Sequence, residues 1–401
     1  FWLKPFWLKH NYCTPFFDTA LFMAASHVQL FYASTALFLA ASGFGANGVV
    51  LRDGRQFLQV RKNLDEDRLQ RAPLQWSSYS SKGLNSQSKL SAGCPVCGPM
   101  ARVGTMPREL NESSGLIMST KHKGVFYTID DSPDFLVMFA IRETGEVVGR
   151  FRLRGVAYSP DATYGPKGKG DLEAISAGPC ELQGQGGSCL FIGDIGQNCM
   201  RESEDCPYLR EKGMASVLRF PEPDLLSTTF TDLAGERFWF RFPTHGFDAE
   251  TMVLDQDGSL FVVTKADDGV SSLYEIESLS PSMQDPVIAK YRATIDISGE
   301  RDFWARLITD GAIQRSGGKN TGITLLTYEK LFHWSAPNGN VSDAMSLQQA
   351  CSTVLPPEPS YFEGLAWGEK VESGIELLVV GEYVGTIPSP IMKTICAVGA
   401  N

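Results

Sequence analysis

From about Ala101 onward the chain repeats one phrase five times. Each copy opens on a small or acidic residue and an apolar pair, turns, runs through a strongly apolar strand, turns again, and adds strands carrying aromatics. The first copy is Ser114-Gly-Leu-Ile with 124–131, 136–141 and 146–153, and the second is Glu173-Ala-Ile with 189–196, 216–222 and 236–243. The third is Glu250-Thr-Met-Val with 259–266, 272–278 and 287–295, and the weaker fourth is Asp310-Gly-Ala-Ile with 322–329, 331–337 and 351–357. The fifth, Glu363-Gly-Leu-Ala with 375–383 and 391–396, stops one strand short. Helical periodicity is almost absent from this region, and runs of this length and alternation are strands. Four short strands per unit, recurring about every 50–80 residues, predict an all-β chain folded as a five-bladed β-propeller. The segment 101–107 can supply the missing strand and close the ring, which removes the edges an open array would expose. A sixth blade would have to hide in 47–98, and a pair of β-sandwiches would leave the recurring acid–small–apolar opening without a reason.

The innermost strand of each blade lines the central channel, so its repeated positions form a ring. That column reads Ser114 (with Glu112 before it), Glu173 (with Asp171), Glu250 (with Asp248), Asp310 and Glu363. Converging carboxylates repel one another unless protonated or neutralised. A hard divalent cation with oxygen ligands is the economical solution, calcium first and magnesium or manganese next. A second column stands where the following strand gives way to a loop: Asp130 and Asp131, Asp194, Lys265, Glu329 and Glu382. Any one of these acids taken singly has a plainer use, accepting backbone N–H groups of a neighbouring blade or closing a turn, as in 255–258. His245, just before Asp248, is placed for proton transfer or for packing against Phe247. Asn198 and Arg201 sit over the predicted face, Arg201 able to pair with Asp194 or bind an anion.

Lys+Arg 36 against Asp+Glu 46 gives a net charge of -10, which excludes a general nucleic-acid binder and suits cations. No G-x-S-x-G, H-E-x-x-H, P-loop or dinucleotide fingerprint stands in a suitable strand–helix context.

The first hundred residues read differently. We expect 1–22 to be an upstream segment and 23–46 a secretory signal peptide, with its apolar run at 28–41 and small residues after it. The departure is an n-region without Lys or Arg; the alternatives are a buried apolar helix or a signal anchor. Residues 47–98, charged at 61–71 and Ser-rich at 77–93, read as a linker or pro-segment, and 99–401 as the propeller. Nine Cys are present, and setting Cys13 aside leaves eight, an even number fitting an oxidising compartment. Cys180 with Cys189 and Cys199 with Cys206 bracket short polar loops that a bridge would pin. Cys94 and Cys97 form a lone C-x-x-C, read as structural rather than as a redox or zinc motif. Sequons at Asn111 and Asn340 fit secretion. After signal removal no stable membrane span is expected.

Several motifs in order, ELNESSGLIMS, FYTIDDS, DLEAISAGP, LFIGDIGQN with Arg201, FDAETMVLDQDGSLFVVTK and PPEPSYFEGLAW, resemble a family of secreted bacterial and algal propeller proteins of unassigned activity. The resemblance covers about 106–396, and it departs where Ile129-Asp130, Leu172 and Gln197 stand for His-Asn, Trp and Asp. EGLAW is more distantly similar to a blade start in calcium-dependent lactonases of the gluconolactonase and paraoxonase type, and the acidic face to phytase-like phosphoesterases. These resemblances imply Glu173, Glu250, Glu363, Asp131 and Asp194 as metal ligands. They imply a calcium-assisted hydrolase of an ester, lactone or phosphoester, with His245 or a ring acid such as Glu250 moving protons. Asn198, Arg201, Asp171, Asp248 and Glu112 are then the substrate contacts. The alternative is a non-catalytic extracellular module for a glycan or protein, stiffened by its cation.

Overall fold

The computed structural model describes residues 94–131, 136–156, 171–181, 187–197, 213–244, 247–255, 257–347, 350–358 and 360–397. The expected signal peptide, nearly all of the linker, His245, Asn198, Arg201, Cys199 and Cys206 lie outside these residues.

Five antiparallel blades form a β-propeller. Blade 1 is Ser113–Met118, Phe126–Asp130, Val137–Ile141 and Val147–Arg154; blade 2 is Leu172–Pro179, Ser188–Asp194, Met214–Pro221 and Glu236–Arg241. Blade 3 is Ala249–Leu254, Leu260–Thr264, Val270–Ile276 and Lys290–Asp296; blade 4 is Ile308–Ser316, Lys319–Thr327, Lys330–Ser335 and Cys351–Val354. Blade 5 takes Ser360–Val371, Gly374–Tyr383 and Pro390–Ala397 from the end of the chain, and Ala101–Thr105 from before blade 1 becomes its outer strand. The ring closes as the sequence predicts.

The second strand of a blade is buried on both faces, which is why stretches such as Leu260–Thr264 are continuously apolar instead of alternating. The apolar core is divided among the seams between blades. Tyr127, Phe151, Leu190 and Phe220 pack between blades 1 and 2, Phe191, Phe240, Met252 and Tyr274 between 2 and 3, and Val263, Ile323 and Trp334 between 3 and 4. Leu326, Phe362 and Leu377 fill the next seam, and Leu116, Phe139 and Ile391 the last. Each such side chain contributes about 1.5–3 kcal/mol by leaving water.

Two edge strands were not legible in the repeat. Phe230–Ala234 returns from blade 2 to pair in parallel with Val147–Arg154, and Val287–Ile288 pairs in parallel with Glu236–Arg241. The second breaks the expected strand 287–295: its first residues cover the edge of blade 2 and only Lys290–Asp296 joins blade 3.

Cys180 and Cys189 are bridged, as their spacing suggests. The two cysteines of the C-x-x-C do not pair with each other: Cys94 joins Cys351 of blade 4 and Cys97 joins Cys396 of blade 5. Val96–Cys97 also adds a short strand beside Pro390–Ala397, so the motif clasps the two blades at the ring's closure. Among the described residues no helix is long and apolar enough to cross a membrane.

Candidate functional site

Every inner strand slips register against its neighbour by one residue, at the same place in each blade. The slips fall between Ser114 and Leu116, Leu172 and Ala174, Ala249 and Thr251, Ile308 and Asp310, and Phe362 and Gly364. The extra residues are therefore Gly115, Glu173, Glu250, Thr309 and Glu363. A bulge of this kind re-aims a side chain out of the pleat. Three of the five extra residues are glutamates.

The sequence column is thus in register in blades 2, 3 and 5, and one residue off in blades 1 and 4. In blade 1 the bulge is Gly115, with φ 66°, and an added Cβ would lie 2.8 Å from the backbone nitrogen of Ile175 in blade 2. In blade 4 the bulge is Thr309, whose hydroxyl donates to the Phe362 carbonyl at 2.8 Å. Asp310, one place on, turns into the wall. Its Oδ2 accepts the backbone N–H groups of Leu116 (3.3 Å) and Leu365 (2.6 Å), and its Oδ1 that of Gly311 (2.7 Å). It is a buried latch between blades 4, 5 and 1, and burial outweighs these bonds to hold its carboxyl above the usual carboxylate range.

Inner strands start, and second strands end, at one rim of the channel, so the two columns meet there. Glu173 is buried, and burial together with the charges of Asp171, Glu250, Asp131 and Glu363 raises its carboxyl well above 4.5. Ser114 Oγ reaches its Oε2 at 3.3 Å, and the backbone of Gly196 lies so close that an added Cβ would overlap Glu173 and Asp171. Glu250 binds Lys265 through Oε1, while its buried Oε2 has no hydrogen-bond partner among the described residues. Burial raises the Glu250 carboxyl, more than Lys265 lowers it. Lys265 Nζ also donates to Tyr328 Oη at 2.9 Å, and Tyr328 donates to Glu363 Oε1 at 2.8 Å. Burial alone would lower the Lys265 ammonium, yet Glu250, Tyr328, Asp248 and Glu363 carry it well above its usual value. It stays charged.

The remaining predicted residues divide by surroundings. Asp248 accepts the Gln197 N–H at 2.7 Å and faces Glu250 and Lys265. Glu112, Asp130 and Asp131 carry carboxylate oxygens all within 4.8 Å of one another, beside the central group through Asp131. Asp194 has a different role: it is fully buried, paired with Arg237, and accepts from Ser216 Oγ at 3.2 Å and from the Asp171 N–H at 2.9 Å. It anchors the entry to the strand that carries Glu173, holding Asp171 just before it. The structure therefore brings Asp131, Asp171, Glu173, Asp248, Glu250 and Glu363 into one electrostatic group and sets Asp194 into an ion pair.

Sequence reasoning noted Lys265 only as a column member and passed over Tyr328. The available signal was that Lys265 is the one base in a column of acids, and that Tyr328 directly follows the second strand of the one blade whose bulge is not acidic or glycine.

No protein family and no curated protein matches the chain. Solved structures resemble it at low similarity. The PQQ-bound aldose sugar dehydrogenase of Streptomyces coelicolor shares 12% identity over 76% of this chain and 98% of that one, with a TM-score of 0.38. Virginiamycin B lyase of Staphylococcus aureus shares 11% over 74% and 98%, with a TM-score of 0.34. A GH43_1 enzyme from Xanthomonas citri shares 10% over 74% and 89%, with a TM-score of 0.40. At such similarity these proteins carry no argument about family or activity.

Proposed function

We propose that this protein is a secreted, cation-binding propeller whose acidic rim holds a divalent cation, calcium first, and assists hydrolysis of an ester, lactone or phosphoester. The observation that carries the reading is the bulged trio Glu173, Glu250 and Glu363, with a buried oxygen of Glu250 left without a hydrogen-bond partner among the described residues. The donor set is all oxygen and strongly anionic, which fits a hard cation. Glu173, Glu250, Glu363 and Asp131 would hold it; Asp194, engaged by Arg237, is left out of the set. A bound cation would supply Lewis-acid polarisation of the substrate oxygen. Lys265 and Tyr328 fix the orientation of Glu250 and Glu363, and Asp171 and Asp248 flank the substrate side. His245 is the imidazole closest in sequence to this rim and takes the proton-transfer role in the reading. Three disulfides among the described residues support an oxidising, extracellular setting.

The second reading, a non-catalytic module stiffened by its cation, is favoured by Asp194 and Asp310, column acids engaged in holding strands together. Elemental analysis before and after chelation, followed by an ester, lactone and phosphoester panel, separates the two. Under the first reading Glu250→Gln abolishes turnover while a cooperative melting transition persists, at a lower temperature because Lys265 loses its partner. If calcium never co-purifies and never raises the melting temperature, the cation reading fails.

A further inference from the structure

The rim has two unlike walls. Blades 1 to 3 contribute Asp131, Asp171 and Asp248, whereas blade 4 has no acidic bulge and presents aromatic surface. Tyr328, whose hydroxyl touches Glu363 and Lys265, stands edge-on to Trp304 at 5.2 Å. Trp304 also packs on Tyr361 at 5.6 Å and edge-on to Phe303 at 5.5 Å. Leu307 and Val384 fill the gaps in this group. Phe303 is 42% exposed, and Ile387, in the turn that pairs with Val384, is 38% exposed. An unbroken aromatic path thus runs from solvent down to the ring carboxylates. Trp304 lies in the connection that enters the inner strand of blade 4, on the same rim as the acids.

We infer that this wall is a saccharide subsite: the ligand at the rim is a neutral, hydroxyl-bearing sugar ring that stacks on Phe303, touches Trp304 beside it, and donates hydrogen bonds to the carboxylates opposite. This rests on the reading that the acidic rim is the binding site. Three alternatives fit the same walls less well. A plain alkyl or aryl group would satisfy the aromatics but bury carboxylate oxygens without donors, which is costly. An anionic ligand would meet the acids of three blades, more charge than Lys265 and one divalent cation offset, so of the proposed substrates the phosphoester is the one this wall disfavours. A ligand ammonium would find its natural place taken, because Lys265 Nζ already lies 5.0 Å from the Tyr328 ring centre and against Glu250. A sugar ring offers one face of C–H groups and a rim of O–H donors, which matches an aromatic wall facing acceptors. Arg306, 5.9 Å from the Phe303 ring centre, adds a donor beside the stacking surface.

The test uses the full-length protein on immobilised neutral oligosaccharides (gluco-, galacto-, manno- and xylo-configured) beside uronate-containing ones. The wild type is expected to retain neutral glycans in preference. Phe303→Ser and Trp304→Ala should each weaken retention about two- to tenfold, the range of an aromatic contact. Phe303 is exposed, so its variant should melt as the wild type does; it decides the matter if Trp304→Ala fails to fold. Failure of the wild type to retain any glycan overturns the inference, as does a preference for uronates or equal retention by wild type and Phe303→Ser. Each measurement is run with calcium and with chelator, alongside elemental analysis. Metal bound without glycan retention sinks the subsite alone, and glycan retention by a protein that takes up no calcium sinks the cation reading alone.

Discussion

Asp310 of blade 4 accepts the backbone N–H of Leu365 of blade 5 at 2.6 Å, and the same oxygen reaches the N–H of Leu116 in blade 1. One carboxylate therefore ties three inner strands where the ring closes. Replacing it with Ala removes the acceptor of three buried donors, the N–H groups of Leu116, Leu365 and Gly311, each loss costing about 1–3 kcal/mol. Denaturant titration should show Asp310→Ala losing at least about 2 kcal/mol and Asp310→Asn, which keeps one acceptor, losing less. Equal loss in both variants would contradict the latch.

Lys265 is the counter-charge of the ring. Removing one partner of a buried ion pair strands the other, at a cost of about 3–5 kcal/mol. Lys265→Met should be severely destabilised in chelator, and Glu250→Gln combined with it should recover much of the loss. A double-mutant cycle with no coupling would show that the pair is not formed in solution.

Glu173 gives a pH dependence with a defined sign. Its folded-state value lies well above 4.5, raised by burial and by neighbouring acids, so the unfolded chain loses its proton first. Metal-free protein should therefore lose stability as pH rises above 4.5 toward neutrality. Glu173→Gln should flatten that slope and raise the melting temperature at neutral pH in chelator. Added calcium should raise the wild-type melting temperature and not that of the variant.

Glu222 gives the opposite sign at the seam between blades 1 and 2. Burial pushes its carboxyl up, but hydrogen bonds from Ser119, Ser188, Thr120 and the Lys121 backbone outweigh this and hold it below 4.5. Ser119 Oγ donates at 2.6 Å and the Thr120 N–H at 2.9 Å. The stability it contributes is present above 4.5 and disappears as pH falls through its lower folded-state value. Acid unfolding of Glu222→Gln should lack this component of the wild-type profile.

The Cys94–Cys351 bridge joins residues separated by 257 positions. A crosslink over a loop of that length constrains the unfolded chain, and removing one such bridge typically costs about 2–5 kcal/mol. Cys94→Ser with Cys351→Ser should unfold at lower denaturant while keeping the blade fold by circular dichroism.

The blades were legible because each strand has an apolar run and a turn on either side, both local properties repeated five times. The closure by 101–107 followed from counting strands. The bridge at Cys180 and Cys189 was legible for the same local reason. The pairings of Cys94 and Cys97 were not, since they depend on which distant strands become neighbours.

At the site, the sequence by itself determined that acids recur at the start of the inner strands and that Glu173, Glu250 and Glu363 occupy equivalent places. Only the tertiary structure decided what each acid does. A one-residue slip, invisible in a pattern of apolar and polar letters, turns Glu173, Glu250 and Glu363 out of the pleat and leaves Asp310 facing backbone N–H groups. The position of Arg237 binds Asp194, and the pairing of Lys265 with Glu250 across 15 residues sets a fixed positive charge inside the ring. Local periodicity dictates strands; the direction and charge of a buried side chain depend on what the other blades bring against it.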